Sequence, residues 1–245
     1  MLTGMKPLIG INLDISAGPP TEAKVQSNYP LAVLKSGGIP ILLYPMGDEE
    51  MKQVVARLDG LLFIGGLDYC PSRYGEEAHS SVEVIDPIRE DWDFRLATHA
   101  LTRVDLPILG ICGGCQLLNI SQGGSLLQDI LTEHPGTQVQ HSSPDGWKKG
   151  FHQHVVELVE GSKLAKLYPA KKVAVPTSHH QAVRKPGRGF EICAFAEDGV
   201  PEAVELTDRP FVIGVQWHPE RDFETNRQLF EEFVKQCARA KAAVQ

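Results

Sequence analysis

The stretch Leu106-Pro107-Ile108-Leu109-Gly110-Ile111-Cys112-Gly113-Gly114-Cys115-Gln116 holds a thiol where it can act as a nucleophile. Ile108–Ile111 reads as a buried strand and residues 116–120 open a helical pattern, so Cys112 falls on the turn between them. A reactive side chain on a sharp strand-to-helix turn is a nucleophile elbow. The helix start turns free N–H groups and a positive dipole end toward the sulfur, which favours thiolate. Gly113 and Gly114 let the backbone bend and a substrate approach. Two other readings of this stretch stand beside it: a small core cysteine, and a redox pair of Cys112 with Cys115 in C-x-x-C spacing.

A thiol nucleophile needs a base, and the base needs a group to orient it. His218 follows a second buried apolar run, residues 210–216, within Trp217-His218-Pro219-Glu220. Both Cys112 and His218 therefore sit at strand ends and are expected at one edge of a sheet. Glu220 is placed to accept a hydrogen bond from the second ring nitrogen of His218, fixing its tautomer and stabilising imidazolium beside thiolate. Acyl transfer also needs donors for an oxyanion. The backbone N–H of Gly113 is the natural first donor, and Gly66, at the end of the run 60–64, supplies a second without a side chain to block approach.

The elements that must hold these residues read as alternating strands and helices. Strands are expected over 7–12, 40–45, 60–64 and 108–111. Helices are expected over 29–36, near Met51 to Leu58, over 91–101 and from Gln116. Residues 68–74 read as a loop. Apolar runs, rather than strict alternation, argue for a mostly parallel sheet covered on both faces, with sites at the carboxyl ends of its strands. The second half is less regular. Residues 132–150 read as a long surface loop or lid, further strands are expected over 155–159, 190–195, 203–206 and 210–216, and an amphipathic helix over 226–243.

Composition narrows the function classes. The chain has 245 residues and a net charge of −7, which gives nucleic-acid binding no electrostatic support. No apolar run is long enough to span a membrane, and residues 1–6 carry no leader pattern. The 5 cysteines are odd in number and widely spaced, so the expectation is a reduced, cytoplasmic protein without a disulfide framework. His134, His141, His152 and His154 show no metal-ligand spacing, so no metal site is expected.

The two motifs Gly110-Ile111-Cys112-Gly113-Gly114-Cys115-Gln116 and Gly214-Val215-Gln216-Trp217-His218-Pro219-Glu220 together resemble the class I glutamine amidotransferases. Further stretches make the chain similar to the gamma-glutamyl-gamma-aminobutyrate hydrolase family within that superfamily. They are Gly37-Gly38-Ile39-Pro40, Gly65-Gly66-Leu67-Asp68, Pro71 to Glu76, Asp86 with Arg89, Gly123-Gly124-Ser125-Leu126 and Ser178-His179-His180-Gln181-Ala182. The resemblance implies a single domain over 1–245 with a flavodoxin-like three-layer α/β fold, a mostly parallel central sheet with helices on both faces, and added β structure in the second half. It implies Cys112 as nucleophile, His218 as general base and acid, Glu220 as orienter, and Gly66 with Gly113 as oxyanion donors. It also implies hydrolysis of a small gamma-glutamyl amide, of the kind met in polyamine catabolism, with no metal or organic cofactor; a homodimer is left open. A glutaminase subunit feeding ammonia to a separate synthase is the alternative.

Other residues have weaker roles under the same resemblance. Gln116, one helical turn after Cys112, is a candidate for the glutamyl head group or for a local backbone cap. His179 and Gln181, after a short strand, resemble a substrate-side loop. Arg89 and Asp68 are candidates for an ion pair or for the pocket wall, and Cys115 for helix packing. The chain departs from many relatives in having Gly113 where they carry arginine, Glu90 where they often carry aspartate, and Pro176-Thr177 where they often carry asparagine-serine. Pro176 removes a backbone donor.

Overall fold

The computed structural model describes residues 5–16 and 18–244; of the segment 1–6, expected to carry no leader, residues 1–4 lie outside it. Its strands in chain order are β1 (Leu8–Asn12), β2 (Asp14–Ser16), β3 (Glu22–Lys24), β4 (Ile39–Leu43), β5 (Gly60–Phe63), β6 (Ile108–Ile111) and β7 (Ser125–Leu127). They continue with β8 (His152–Leu158), β9 (Lys172–Thr177), β10 (Ala182–Lys185), β11 (Phe190–Ala196), β12 (Pro201–Leu206) and β13 (Val212–Val215). The helices are α1 (Asn28–Lys35), α2 (Asp48–Val55), α3 (Pro87–Thr102), α4 (Gly113–Ser121), α5 (Ile130–Glu133) and α6 (Phe223–Val244).

Nine strands form one sheet in the order β4-β1-β5-β6-β13-β12-β11-β8-β9. Every pairing from β4 to β13 is parallel, and every pairing from β13 to β9 is antiparallel. The apolar runs of the parallel part follow from burial on both faces. Ile9, Ile11, Leu62, Leu109, Ile111, Ile213 and Val215 face one apolar layer with Val33 of α1 and Phe230 and Phe233 of α6. Leu61, Phe63, Ile108 and Val212 face the other, with Val55 of α2, Trp92 and Leu96 of α3 and Leu118 of α4. Alternate residues of one strand thus enter opposite cores, so neither face needs a polar position.

Helix α4 lies unusually close to the sheet. A side chain at Gly110 would meet the Gly114 carbonyl oxygen at 2.5 Å, and one at Gly114 would meet the Phe63 carbonyl oxygen at 2.3 Å. The glycines around Cys112 therefore seat its helix directly on β5 and β6.

Several expectations need correction. Helix α3 begins at Pro87, not at 91: Asp86 caps it by accepting from Ile88 N at 2.9 Å, and Pro87 sits where a helix needs no N–H. The extra turn carries Arg89. Residues 68–74 are not all loop, since Pro71–Tyr74 forms a 3-10 turn. Residues 132–150 are largely exposed, as expected of a surface loop, and residues 148–150 line the cleft described below, but part of the segment is structured. Their start belongs to α5, their end forms a 3-10 turn (Trp147–Lys149), and His141 between them is buried. The polar, Gly- and Pro-containing composition is that of a surface loop, and its partners lie in β9 and in the turn between β11 and β12. Thr177 Oγ1 donates to the His141 carbonyl at 2.9 Å, and Thr137 Oγ1 to Asp198. The ribbons β2–β3 and β7–β10 and the long edge strand β9 complete the second half. Pro176 is tolerated because β9 pairs only with β8 and forms the sheet edge.

Candidate active site

Register brings the candidate residues together. Val215 of β13 lies beside Ile111 of β6, and Phe63 of β5 lies beside Gly110. The three chains leave the sheet at the same end, so Gly65-Gly66, Cys112 and Gln216 to His218 emerge side by side. A side chain at Gly65 would stand 3.3 Å from both Cys112 Cβ and His218 Cε1.

Cys112 is the only non-glycine residue with positive φ among the described residues, at φ 53° and ψ −109°. This strained elbow is held by hydrogen bonds on both sides. Cys112 N donates to Val215 O at 2.8 Å, and the Cys112 carbonyl accepts from Cys115 N at 2.9 Å as α4 begins. His218 is fixed as well: its N–H donates to Pro176 O at 2.8 Å, and its Nδ1 pairs with Glu220 Oε1 at 2.9 Å. A carboxylate only accepts, so Nδ1 carries the proton and Nε2 is the nitrogen left for the thiol. Burial works against a charged ring here, but the Glu220 carboxylate and the Cys112 sulfur outweigh it and push the His218 pKa up to about 10. Phe151 packs edge-on against the imidazole, centroids 4.9 Å apart, and Arg221 lies over the Phe151 ring at 4.5 Å.

Gly65-Gly66 is oriented from behind by Arg89, whose side chain is fully buried. Arg89 Nη2 donates to Gly65 O at 2.8 Å and to Ile64 O at 3.3 Å. In a trans peptide the C=O and N–H point in opposite directions. With the Gly65 carbonyl turned to Arg89, the Gly66 N–H is turned toward the elbow, and Gly66 N stands 3.3 Å from where a Gly113 side chain would begin. A side chain at Gly66 would collide with Arg89 Nη1 at 2.4 Å. Arg89 is itself held by Asp93 (3.2 Å) and Asp14 (2.8 Å). Asp93 accepts further bonds from Asn12 and Tyr69, and Asn12 in turn accepts from Ile64 N at 2.9 Å. Arg89 and Asp68 do not pair with each other; Asp68 pairs with His180 at 3.1 Å.

The elbow opens into a cleft of 1090 Å³ lined by Cys112, His218, Gly65, Gly66, Tyr29 and Ser178, with Lys24, Lys149, Arg221, Asp14 and Asp86 around them. Among the substrate-side candidates, Gln116 is buried behind the sulfur. It donates to Gln216 Oε1 at 3.3 Å, and Gln216 Nε2 donates to Cys112 Sγ at 3.6 Å. His179 and Gln181 are buried as well and do not line the cleft: the His179 ring faces Glu202, and Gln181 Nε2 donates to Gln128 O. From that turn it is Ser178 that reaches the cleft. Tyr29, Phe151 and Arg221 carry no motif signal in the sequence. Cys115 packs against Gly214 in the core, and burial pushes its thiol pKa up, away from redox use at neutral pH.

The Peptidase C26 profile matches residues 7–220. The chain belongs to this family, whose members are class I glutamine amidotransferase-like. Among C26 relatives it is 37% identical over 226 residues to "Putative glutamine amidotransferase Rv2859c" of Mycobacterium tuberculosis, covering 90% of this chain and 68% of that one. It is 31% identical over 222 residues to gamma-glutamyl-gamma-aminobutyrate hydrolase PuuD of Escherichia coli K12, covering 87% and 86% of the two chains. A solved structure from Thermoplasma acidophilum, described as a "putative gmp synthase subunit a protein", superposes with a TM-score of 0.66 over 98% of each chain at 16% identity, which establishes a shared α/β fold. The C26 match ends at Glu220, the last residue of the Cys112–His218–Glu220 constellation. No described helix is long and apolar enough to cross a membrane.

Proposed function

We propose that this protein is a stand-alone amidohydrolase that cleaves the gamma-glutamyl amide bond of a small gamma-glutamyl compound. The supporting observation is the alignment of three strand ends, which sets a strained cysteine, a carboxylate-oriented histidine and an inward backbone N–H at the floor of one cleft. The C26 relatives named gamma-glutamyl-gamma-aminobutyrate hydrolase add weight to this substrate class.

In this reading the Cys112 thiolate, paired with the His218 imidazolium, attacks the gamma-carbonyl carbon. The carbonyl oxygen becomes an oxyanion and accepts from Gly66 N–H and Gly113 N–H. His218 gives its Nε2 proton to the amide nitrogen, the C–N bond breaks and the amine leaves. Water then loses a proton to His218 and attacks the thioester carbonyl, releasing glutamate and the thiolate. Glu220 holds the ring through both proton transfers. Acidic Asp14 and Asp86 and basic Lys24, Lys149 and Arg221 around the cleft give it charges of both signs, as the ammonium and carboxylate of a glutamyl head require.

Purified protein is expected to release amine from gamma-glutamyl amides with no second protein present, and Cys112→Ala to abolish that release. Release by the wild-type chain only after a partner is added would favour the glutaminase-subunit reading, which the amidotransferase names of several relatives keep in view.

A further inference from the structure

Away from the cleft, four buried side chains from four separate segments converge. They are His141 of the segment after α5, His154 of β8, His179 of the turn after β9, and Glu202 of β12. All are more than nine-tenths buried, at 6%, 7%, 3% and 0% exposure. One potential ligand atom from each lies within 4.8 Å of all the others. The rings stand around one carboxylate, with His141 centroid distances of 4.9 Å to His154 and 5.0 Å to His179.

This cluster leaves polar atoms unsatisfied. Both ring nitrogens of His154, Nε2 of His179 and Oε2 of Glu202 are buried without a hydrogen-bond partner. A native protein rarely strands so many polar atoms in one place unless an ion or water joins them. The tautomer of His179 sharpens the point. Its Nδ1 lies 2.9 Å from the Gln181 carbonyl oxygen, which only accepts, so Nδ1 carries the proton. In the neutral ring Nε2 is then a lone pair, and it points at a Glu202 carboxylate oxygen 3.4 Å away. Two electron-rich atoms facing each other in a buried site repel unless a positive charge, a metal ion or a proton, joins them.

We propose that His141, His154, His179 and Glu202 bind one zinc-type divalent transition-metal ion in a closed, structural site. Tetrahedral zinc at about 2.0–2.1 Å from each donor sets donors about 3.3 Å apart. Glu202 Oε1 lies 3.1 Å from His141 Nδ1 and 3.4 Å from His179 Nε2, close to that spacing, while His154 Nε2 lies 3.5 Å from the other carboxylate oxygen, Oε2. Imidazole and carboxylate donors suit zinc, and four protein donors leave no open position for catalysis. The outer contacts are those of a metal site too. Asp198 Oδ2 receives the His141 Nε2 proton at 3.0 Å, and the Gln181 carbonyl receives that of His179. Glu202 and Asp198 together balance the charge of a dication with the three rings neutral.

The site would tie the segment through His141 to the antiparallel half of the sheet. That segment runs on to Phe151, which packs on His218, so the ion would brace one wall of the cleft from behind. It also gives His179 a task other than touching substrate. The zinc reading departs from the expectation drawn from histidine spacing, because three of the four donors come from outside any local motif.

The test is metal analysis of the full-length Cys112→Ala chain, in which the cleft thiol cannot itself hold metal. Purified from zinc-supplemented cells, it is expected to carry about one zinc per chain by elemental analysis. Chelator treatment is expected to lower Tm and added zinc to restore it. Cobalt(II) in place of zinc is expected to give the visible bands of a tetrahedral site without sulfur-to-cobalt charge transfer. His154→Gln and Glu202→Gln are each expected to cut bound zinc at least tenfold. The proposal is overturned if no metal co-purifies and neither zinc nor cobalt changes Tm or the visible spectrum. A shared proton would then join His179 to Glu202. Sulfur charge-transfer bands, or full zinc content in both variants, would overturn it equally by moving the metal to the remaining cysteines. The chelator and cobalt measurements stand even if neither variant folds.

Discussion

Glu220 and Cys112 act on His218 through charge, and their pull outweighs the burial that disfavours its proton. His218 holds its proton to about pH 10, against 6.5 for a free histidine. The stabilisation from its pairing is therefore fully present below about pH 6.5 and is lost as pH rises toward 10. Thermal unfolding should show Tm falling between neutral pH and pH 10, and Glu220→Gln should flatten that fall. The same variant removes the acceptor that fixes the ring tautomer, so kcat on a gamma-glutamyl amide should drop roughly 10²- to 10⁴-fold with little change in KM. At Gly66 the constraint is steric. Gly66→Ala puts a methyl group onto the Arg89 guanidinium, and the displaced N–H should cost about 10²-fold or more in kcat. Steady-state kinetics on these variants, with circular dichroism to confirm folding, checks both.

Elements decide which of these residues meet. The parallel strands were readable because a sheet buried on both faces is written in apolar runs, and β5, β6 and β13 each end in a glycine, cysteine or histidine motif. Those runs place Cys112 and His218 at strand ends on one edge of a sheet, and the pairing of β13 beside β6 then brings them together. Arg89 was harder to place. It lies on the first turn of α3, which an Asp86-Pro87 start signals, but nothing local says that its guanidinium caps the Ile64 and Gly65 carbonyls. The histidine cluster was hidden for a similar reason: its members are neighbours only after β8, β9 and β12 have paired. Arg89 also carries a testable energetic consequence. Arg89→Ala would leave Asp93 as a buried acid without its cation and should lower unfolding free energy by about 3–5 kcal/mol, measured by urea denaturation. Activity should fall as well, since the Gly65-Gly66 peptide would lose the group that turns it.

At the scale of the whole molecule, the parallel half carries the candidate Cys112, His218 and Glu220 and the antiparallel half supplies the cleft's far wall. Ser178 and Phe151 enter from the second half, and Ser178 Oγ bonds the Gly150 carbonyl at 2.9 Å to join the two wall segments. In the proposed reaction the amine side of the substrate would meet this wall rather than the elbow, which is why the cysteine and histidine motifs suggest a reaction class more readily than a substrate. All of these assignments converge on one covalent intermediate. Rapid-quench mass spectrometry of the wild-type chain during turnover of a gamma-glutamyl anilide tests it most directly. A transient mass increase of one gamma-glutamyl group is expected, located by peptide mapping on Cys112 and absent from Cys112→Ala. Steady turnover with no adduct on Cys112, or with the adduct on another residue, would contradict it.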